Sequence, residues 1–422
     1  MPNFCAAREL GHTWRMRNSS ICPLSQDPVH PLGMVLSGGG ARGAFQVGVL
    51  DTLMRDPRGL DALPHAVSGT SAGSINAALL AAGRTPSEML EFWLDMARNP
   101  PVVGNDVFFR SLGTVLRRLA GSEAVRSFGR RKREARTLVR LVKKHSFWQS
   151  SGRFAALFEY LLTARFDSIS TLLDGIKTTH LFSTHPARAR LADALGGYTL
   201  ANPHCRLAIN AVDVQSGRAI RFVSHAPAKH GDADQSHYRV GPITVEMVLA
   251  SAAIPILFDP VEVQGMTLWD GGVLVNTPLA PTVALGARRI LPVLVSEGEA
   301  HKPPKPRTLG AAIERLADAF LENAYNTDRK LLRERNRVAA LRPAQSLALI
   351  DLYEPIRPES ADLFNAGSYL YFEPSAIQAM YEAGRSAAAA WLDDGPRLDV
   401  DARRISEEMR GQTTPLQQRD AG

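Results

Sequence analysis

Along this chain, short apolar runs that end in glycine alternate with stripes of helical period. Met34-Val35-Leu36-Ser37 reads as a buried strand and passes directly into Gly38-Gly39-Gly40-Ala41-Arg42-Gly43. Behind that loop Ala44, Val47, Leu50 and Met54 recur at near-helical spacing, and Phe45, Val49 and Leu53 widen the stripe. The glycine loop therefore opens a helix. The pattern then repeats, with Ala66-Val67 as a short strand, Gly69-Thr70-Ser71-Ala72-Gly73 as a turn, and Ser74 to Ala82 as a second helix. Thr85-Pro86-Ser87-Glu88 is a capping box with proline at the first helical position. It predicts a helix that buries Met89, Phe92, Trp93 and Met96 and stops at Asn99-Pro100-Pro101.

Further on, residues 104–190 look mostly helical, Phe154 to Phe166 included. Arg206 to Val214 and Ala219 to Val223 predict a hairpin turning at Gln215-Ser216-Gly217. A helix at Val245 to Ala252, a buried strand at Arg289 to Val295 and a long charged helix at Leu309 to Arg337 come next. Leu347 to Tyr353 fits one more strand, and Ser375 to Trp391 one more helix. Strands alternating with helices imply an α/β fold, three layers in α/β/α order around a mostly parallel central sheet. The predicted organisation is an N-terminal extension (1–32), one catalytic domain (33–395) carrying a basic helical insertion (104–190), and a polar C-terminal tail (396–422).

Composition narrows the class. With 422 residues, 45% of them hydrophobic, the chain can bury one large core or two modest ones. No uncharged apolar stretch reaches the length needed to span a bilayer, and residues 1–33 lack the apolar centre of a signal peptide. Three widely spaced cysteines (Cys5, Cys22 and Cys205) argue against a disulfide framework or a zinc site and suit a reducing compartment. The expected location is cytoplasmic, with peripheral contact to a membrane. That contact is suggested by Arg110 to Lys144, which holds nine Arg, three Lys and two Glu. Within it Ala135, Leu138, Val139 and Val142 keep helical spacing while Arg133, Arg136, Arg140, Lys143 and Lys144 fill the other sides. This pattern suits a cationic helix lying on a lipid surface, with Phe147 and Trp148 at its end; the alternative, the commoner outcome for a charged helix, is a solvated helix whose apolar stripe packs on its own domain. Nucleic acid is disfavoured because no interleaved aromatics or zinc spacing accompany the arginines.

The chemistry concentrates in two glycine turns. A serine between two glycines, after a strand and before a helix, is where a strained turn would present a nucleophile. The upstream loop, Gly38 to Gly43, places bare backbone amides at a helix start, a pocket for negative charge. Read as Gly38, Gly40 and Gly43 it matches a dinucleotide fingerprint, but the next strand ends in the serine turn rather than in an acidic residue. An oxyanion hole fits better. For the base, His301 would complete a Ser-His-Asp triad in chain order, yet it sits in the proline-rich loop His301-Lys302-Pro303-Pro304. Asp270, in Trp269-Asp270-Gly271-Gly272, follows an apolar segment and is freed sterically by Gly271 and Gly272.

Taken in order, these motifs resemble the patatin-like phospholipase family. The resemblance covers the glycine loop with Arg42, the serine turn, Asp270-Gly271-Gly272, the stretch Ala250 to Phe258 and Asn276-Thr277-Pro278. It implies a Ser71-Asp270 dyad without histidine, with Gly38, Gly39, Gly40, Ala41, Arg42 and Gly43 around the oxyanion. It also implies an acyl-serine intermediate, lipid or phospholipid esters as substrates in the manner of phospholipase A or lysophospholipase, and no metal, calcium or other cofactor. The alternatives are the His301 triad esterase and a catalytically idle lipid-binding protein on the same scaffold.

Overall fold

The structure is a computed structural model that describes residues 24, 27–121, 176–228, 235–296, 298, 305, 309–342, 347–359, 364, 369 and 372–413. The first strand, β1 (Leu32–Leu36), is buried along its whole length. Met34 and Leu36 face one hydrophobic cluster and Val35 another, so both faces of the strand are covered, which accounts for the unbroken apolar run. A short 3-10 turn at Gly40–Arg42 leads into α1 (Gly43–Arg55). β2 (Ala66–Thr70) lies parallel to β1 and gives way at Ser71 to α2 (Ala72–Ala81). α3 (Pro86–Arg98) begins on the capping box read from the sequence. The Thr85 hydroxyl accepts the Glu88 N–H at 3.3 Å, and the Glu88 carboxylate accepts the Thr85 N–H at 2.8 Å.

The described ends of the insertion 104–190, predicted as mostly helical, hold two helices and two short strands. β3 (Val103–Gly104) precedes α4 (Asp106–Gly121), and β4 (His180–Ser183) leads into α5 (His185–Leu195). The predicted helix Phe154 to Phe166, Phe147, Trp148 and most of the basic run lie outside the described residues. Next come β5 (Thr199–Leu200), β6 (Arg206–Asp213), β7 (Ala219–Val223), β8 (Tyr238–Val240), β9 (Ile243–Thr244) and α6 (Val245–Ser251). After them stand β10 (Ile256–Phe258), β11 (Val261–Val263), β12 (Met266–Asp270), α7 (Leu279–Ala284) and β13 (Arg289–Val293). The chain closes with α8 (Leu309–Leu341), β14 (Asp351–Tyr353), α9 (Pro374–Asp393), β15 (Leu398–Val400) and α10 (Ala402–Thr413).

The main sheet runs β11-β12-β6-β2-β1-β13-β14-β15, with β7 and β8 branching from β6. Its centre, β6-β2-β1-β13-β14, is parallel, and β12, β7 and β15 join it antiparallel. Side chains of α1, α2, α3, α6 and α9 share one core with the sheet, and α7, α8 and α10 cover the opposite face. The fold is thus α/β in three layers, as the alternation of elements predicts. Two boundaries differ. Leu24 and Leu32, within the predicted extension, are already buried in the core. The predicted tail 396–422 is no tail as far as residue 413, because β15 pairs with β14 and α10 packs on α8, burying Val400 and Ile405. So few apolar residues turn inward there that the charged majority hides them. Among the described residues no helix is long and apolar enough to cross a membrane.

The strand pairing around β6 is what assembles the site. β7 covers Ala208 to Val212 on one edge of β6, which leaves the other edge to be shared by β2 and β12. β2 runs parallel and β12 antiparallel, so their C-terminal ends meet, with Thr70 opposite Asn210 and Asp270 opposite Ala211. Neighbouring residues of a strand are about 3.3 Å apart. Ser71 and Asp270 are therefore brought together by strand pairing alone, and β1 ends beside them with Leu36 opposite Gly69.

Candidate active site

Ser71 occupies the turn between β2 and α2 with φ 54° and ψ −126°, a left-handed conformation that costs an L-residue about 1–3 kcal/mol. The surroundings impose it. A Cβ on Gly69 would lie 2.6 Å from the Ser74 nitrogen, and one on Gly73 would lie 2.6 Å from the Ser37 oxygen. No other residue fits either place, which is why the serine is bracketed by glycines. The Ser71 carbonyl accepts the Ser74 N–H at 2.9 Å, and its N–H donates to the Ser251 hydroxyl at 3.0 Å. Ser251 in turn donates to the Asn210 carbonyl at 2.5 Å, tying the turn to β6.

Asp270 is 4% exposed and Ser71 6%. The backbone N–H of Gly272 donates to the Asp270 carboxylate at 2.7 Å, and the Ser71 side chain is a second hydrogen-bond partner. Both hold the pKa down. Burial pushes the other way and wins, so the carboxyl is raised from 3.8 to about 7. Gly271 lets this turn press against β6, since a Cβ there would lie 2.8 Å from the Asn210 carbonyl carbon. The Asp270 N–H donates to Ala253 at 2.9 Å, which fixes the strand end to the segment after α6.

The glycine loop divides into amides that hold the fold and amides that do not. Gly38 donates to the Asn276 carbonyl at 3.2 Å, Arg42 donates to Gly39 at 3.2 Å, and Gly43 donates into the 3-10 turn. Among the described residues, the amides of Gly39, Gly40 and Ala41 carry no such bond. The Arg42 guanidinium is buried. It donates to the carbonyls of Val295 at 3.1 Å and Phe364 at 2.5 Å, lies 3.6 Å above the Tyr369 ring and 3.9 Å from Asp318. Arg42 thus anchors the loop. A second anchor is a buried chain in which Trp93 donates to Asn76 at 2.8 Å, Asn76 to Gln46 at 2.9 Å, and Gln46 to the Ser37 carbonyl at 2.8 Å.

Ser71, Gly40 and Ala72 lie in the wall of an open cleft. Its remaining lining is almost wholly apolar, with Ile75, Trp93, Met96, Leu249, Ile254 and Phe258 facing in. Such a lining suits a hydrocarbon chain and leaves few polar groups to orient anything else. No histidine lines the cleft among the described residues, and His301 lies outside them. Cys205, the one cysteine described, is buried and its thiol is pushed up to about 12 by desolvation, which removes it as a competing nucleophile.

The candidates named from the sequence thus converge: Ser71, Asp270, the six loop residues, Gly69, Gly73, Gly271 and Gly272 meet at the ends of β1, β2 and β12. The sequence reading missed Ser251, Asn76, Gln46 and Ala72. The first three are buried polar residues inside helical patterns, and their polarity at core positions was the available signal. Ala72 lines the cleft as the first residue of α2, directly after the turn.

Comparison with known proteins places these residues in context. A family model described as Patatin-like phospholipase matches residues 34–283, a span that holds both Ser71 and Asp270. The chain is also similar to a solved structure, VipD from Legionella pneumophila, at 14% identity over 88% of this chain and 68% of that one, with a TM-score of 0.33. A search of curated proteins gave no match.

Proposed function

The chain belongs to the patatin-like phospholipase family, a family of lipid acyl hydrolases, and on that premise we propose that it cleaves lipid carboxylic esters with Ser71 as nucleophile and Asp270 as base. The observation that carries this reading is the meeting of a strained, buried serine with a carboxyl raised to about 7 at the wall of an apolar cleft. A serine hydroxyl is a weak nucleophile until something takes its proton. An exposed aspartate is too acidic to do so well, whereas one raised to about 7 is half ionised at neutral pH and far more basic.

In the proposed cycle the Ser71 Oγ attacks the ester carbonyl carbon while its proton passes to Asp270. The carbonyl oxygen becomes negative and is held by the amides of Gly39, Gly40 and Ala41, together with that of Ala72 at the positive end of α2. Each such donor is worth about a hundred- to a thousandfold in rate. Collapse expels the alcohol, which takes the proton back from Asp270 and leaves an acyl-serine. Water then attacks the acyl carbon, giving its proton to Asp270, and as the bond from the acyl carbon to Ser71 Oγ breaks Asp270 returns that proton to the Oγ and the fatty acid departs. The cleft holds the acyl chain throughout.

A fluorophosphonate probe tests the nucleophile, and a panel of phospholipids, lysophospholipids and a short-chain p-nitrophenyl ester tests the reaction. We expect the wild type to be labelled and to turn over esters, and Ser71→Ala to do neither. Labelling that persists in Ser71→Ala, or a wild type inert on every ester, would refute the proposal, the latter in favour of a lipid-binding protein.

A further inference from the structure

Exposed apolar residues adjoin the cleft lining along the chain. Val102, Ile254 and Phe258 line the interior. Their neighbours Val103 and Ile256 are 51% and 65% exposed, and Val107, on the first turn of α4, is 46% exposed. These residues sit on or beside the small sheet in which β10 pairs with β4 and β4 with β3. Beneath them Phe108, Leu257 and Phe258 pack on Val102, Leu181 and Phe182 as a hydrophobic cluster of their own. The rim is therefore supported by its own core and backed by rigid packing. Ile256 has φ 71°, a left-handed conformation that is an outlier for a β-branched residue. Strain of this kind persists only where the surrounding structure enforces it, and it holds an isoleucine side chain in water between two cleft-lining residues.

We propose that Val103, Val107 and Ile256 form a lipid-docking rim that seats the mouth of the cleft on an anionic bilayer. This rests on the ester-hydrolase reading above. Two observations select a lipid surface as the occupant. First, Val103 and Ile256 adjoin the cleft-lining residues Val102, Ile254 and Phe258 in the chain, so an acyl chain moving from bilayer to Ser71 would have apolar side chains beside it instead of water, where each exposed methylene is penalised. Second, α4 carries both Val107 and Arg110, and the sequence from Arg110 to Lys144 holds nine Arg and three Lys against two Glu, a charge balance that suits anionic headgroups. Three partly inserted aliphatic residues give weak, reversible binding, and the charge is needed to complete it.

The test uses the full chain with Val107→Gln and Ile256→Asn. Glutamine favours the exposed helix position and asparagine tolerates left-handed backbone, so neither change threatens the fold. Co-sedimentation is measured with vesicles of phosphatidylcholine alone and of phosphatidylcholine with phosphatidylglycerol, in the Ser71→Ala background so that no lipid is consumed. The expected result is binding to the anionic vesicles that weakens with salt and falls about tenfold in the double variant. With Ser71 intact, the double variant is expected to lose vesicle-lipid hydrolysis in proportion while p-nitrophenyl ester turnover stays at the wild-type level. An Ile256→Leu control should bind like wild type. Equal vesicle binding by wild type and double variant would overturn the proposal, as would a wild type that ignores anionic vesicles. So would a self-associated protein that the two substitutions make monomeric, which would assign the rim to a second copy of the chain. Absence of ester turnover in wild type would sink the catalytic reading instead, and vesicle binding would still report on the rim.

Discussion

Replacing Asp270 with asparagine should make the protein more stable and inactive at once. The carboxyl is raised from 3.8 to about 7 because burial outweighs its two hydrogen bonds, and at about 1.4 kcal/mol per pH unit the ionised form is penalised by about 4 kcal/mol. Proton binding sets the sign. Between 3.8 and about 7 the folded chain holds a proton at this site that the unfolded chain has lost, so rising pH favours unfolding across that window. Stability from this group is fully present below 3.8 and gone above about 7. Asparagine is neutral at every pH and its oxygen can still accept the Gly272 N–H, now at 2.7 Å from the carboxylate. The assay is thermal denaturation of wild type and Asp270→Asn from acid to mildly alkaline buffer. The two melting temperatures should lie close together at low pH and separate as pH rises. The variant should gain roughly 5 °C above pH 7, the increase that about 4 kcal/mol produces in a chain of this size. A gap that does not change with pH, or a variant less stable than wild type in alkali, would show that the carboxyl is not held neutral by the fold.

The same geometry sets other outcomes. If Asp270 is the base, kcat/KM should rise tenfold per pH unit in acid and level off at about 7, and a midpoint near 4 would exclude it. Ser251→Ala leaves the Ser71 N–H unpaired in the interior, so it should cost about 1–3 kcal/mol of stability and slow fluorophosphonate labelling of Ser71, whereas unchanged labelling would remove Ser251 from the turn's support. Gly69→Ala places a methyl against backbone that cannot yield, and a loss of more than about 3 kcal/mol, or failure to fold, is expected in expression and melting experiments. Arg42→Lys should not preserve stability, because a single ammonium cannot reach both the Val295 and Phe364 carbonyls while lying on the Tyr369 ring; a wild-type melting temperature would contradict this.

The layer order and the serine turn were legible because they depend on local signals. The five-residue burial of β1 shows as an unbroken apolar run, and the close backbone approaches at Gly69 and Gly73 leave no choice of residue. What joins Ser71 to Asp270 was not local. The two lie 199 positions apart in the chain, and nothing near either one announces that β2 and β12 share an edge of β6. The family resemblance supplied the pairing where spacing could not. Residues 396–413 were misread for a related reason, since the few buried side chains in a run of Arg and Glu are visible only once β14 offers an edge and α8 a surface. Arg42 sits inside a motif associated with the oxyanion, and its guanidinium is engaged by two carbonyls, an aromatic face and Asp318, partners that no local signal announces.

A comparison within the molecule indicates why an aspartate can replace histidine here. Asp213, at the C-terminal end of β6, accepts from Ser216 and Gln215 at the surface, and those hydrogen bonds hold its pKa below the ordinary value. Asp270 pairs only a few residues away along the same strand, but it is buried, with one backbone donor and one hydroxyl, and its pKa moves the other way. The residue type is the same and the role differs because of solvation and donor count. A histidine is near neutral pKa without help. An aspartate reaches that range only by leaving water, which is what the junction of β2 and β12 arranges by closing one edge of β6 over it. The strain at Ser71 and the penalty at Asp270 are thus local costs of one arrangement, offset by a sheet buried on both faces. Any change that admits water to Asp270, or adds a second N–H donor to its carboxylate, should therefore shift the acid limb of the pH profile downward and slow acylation together.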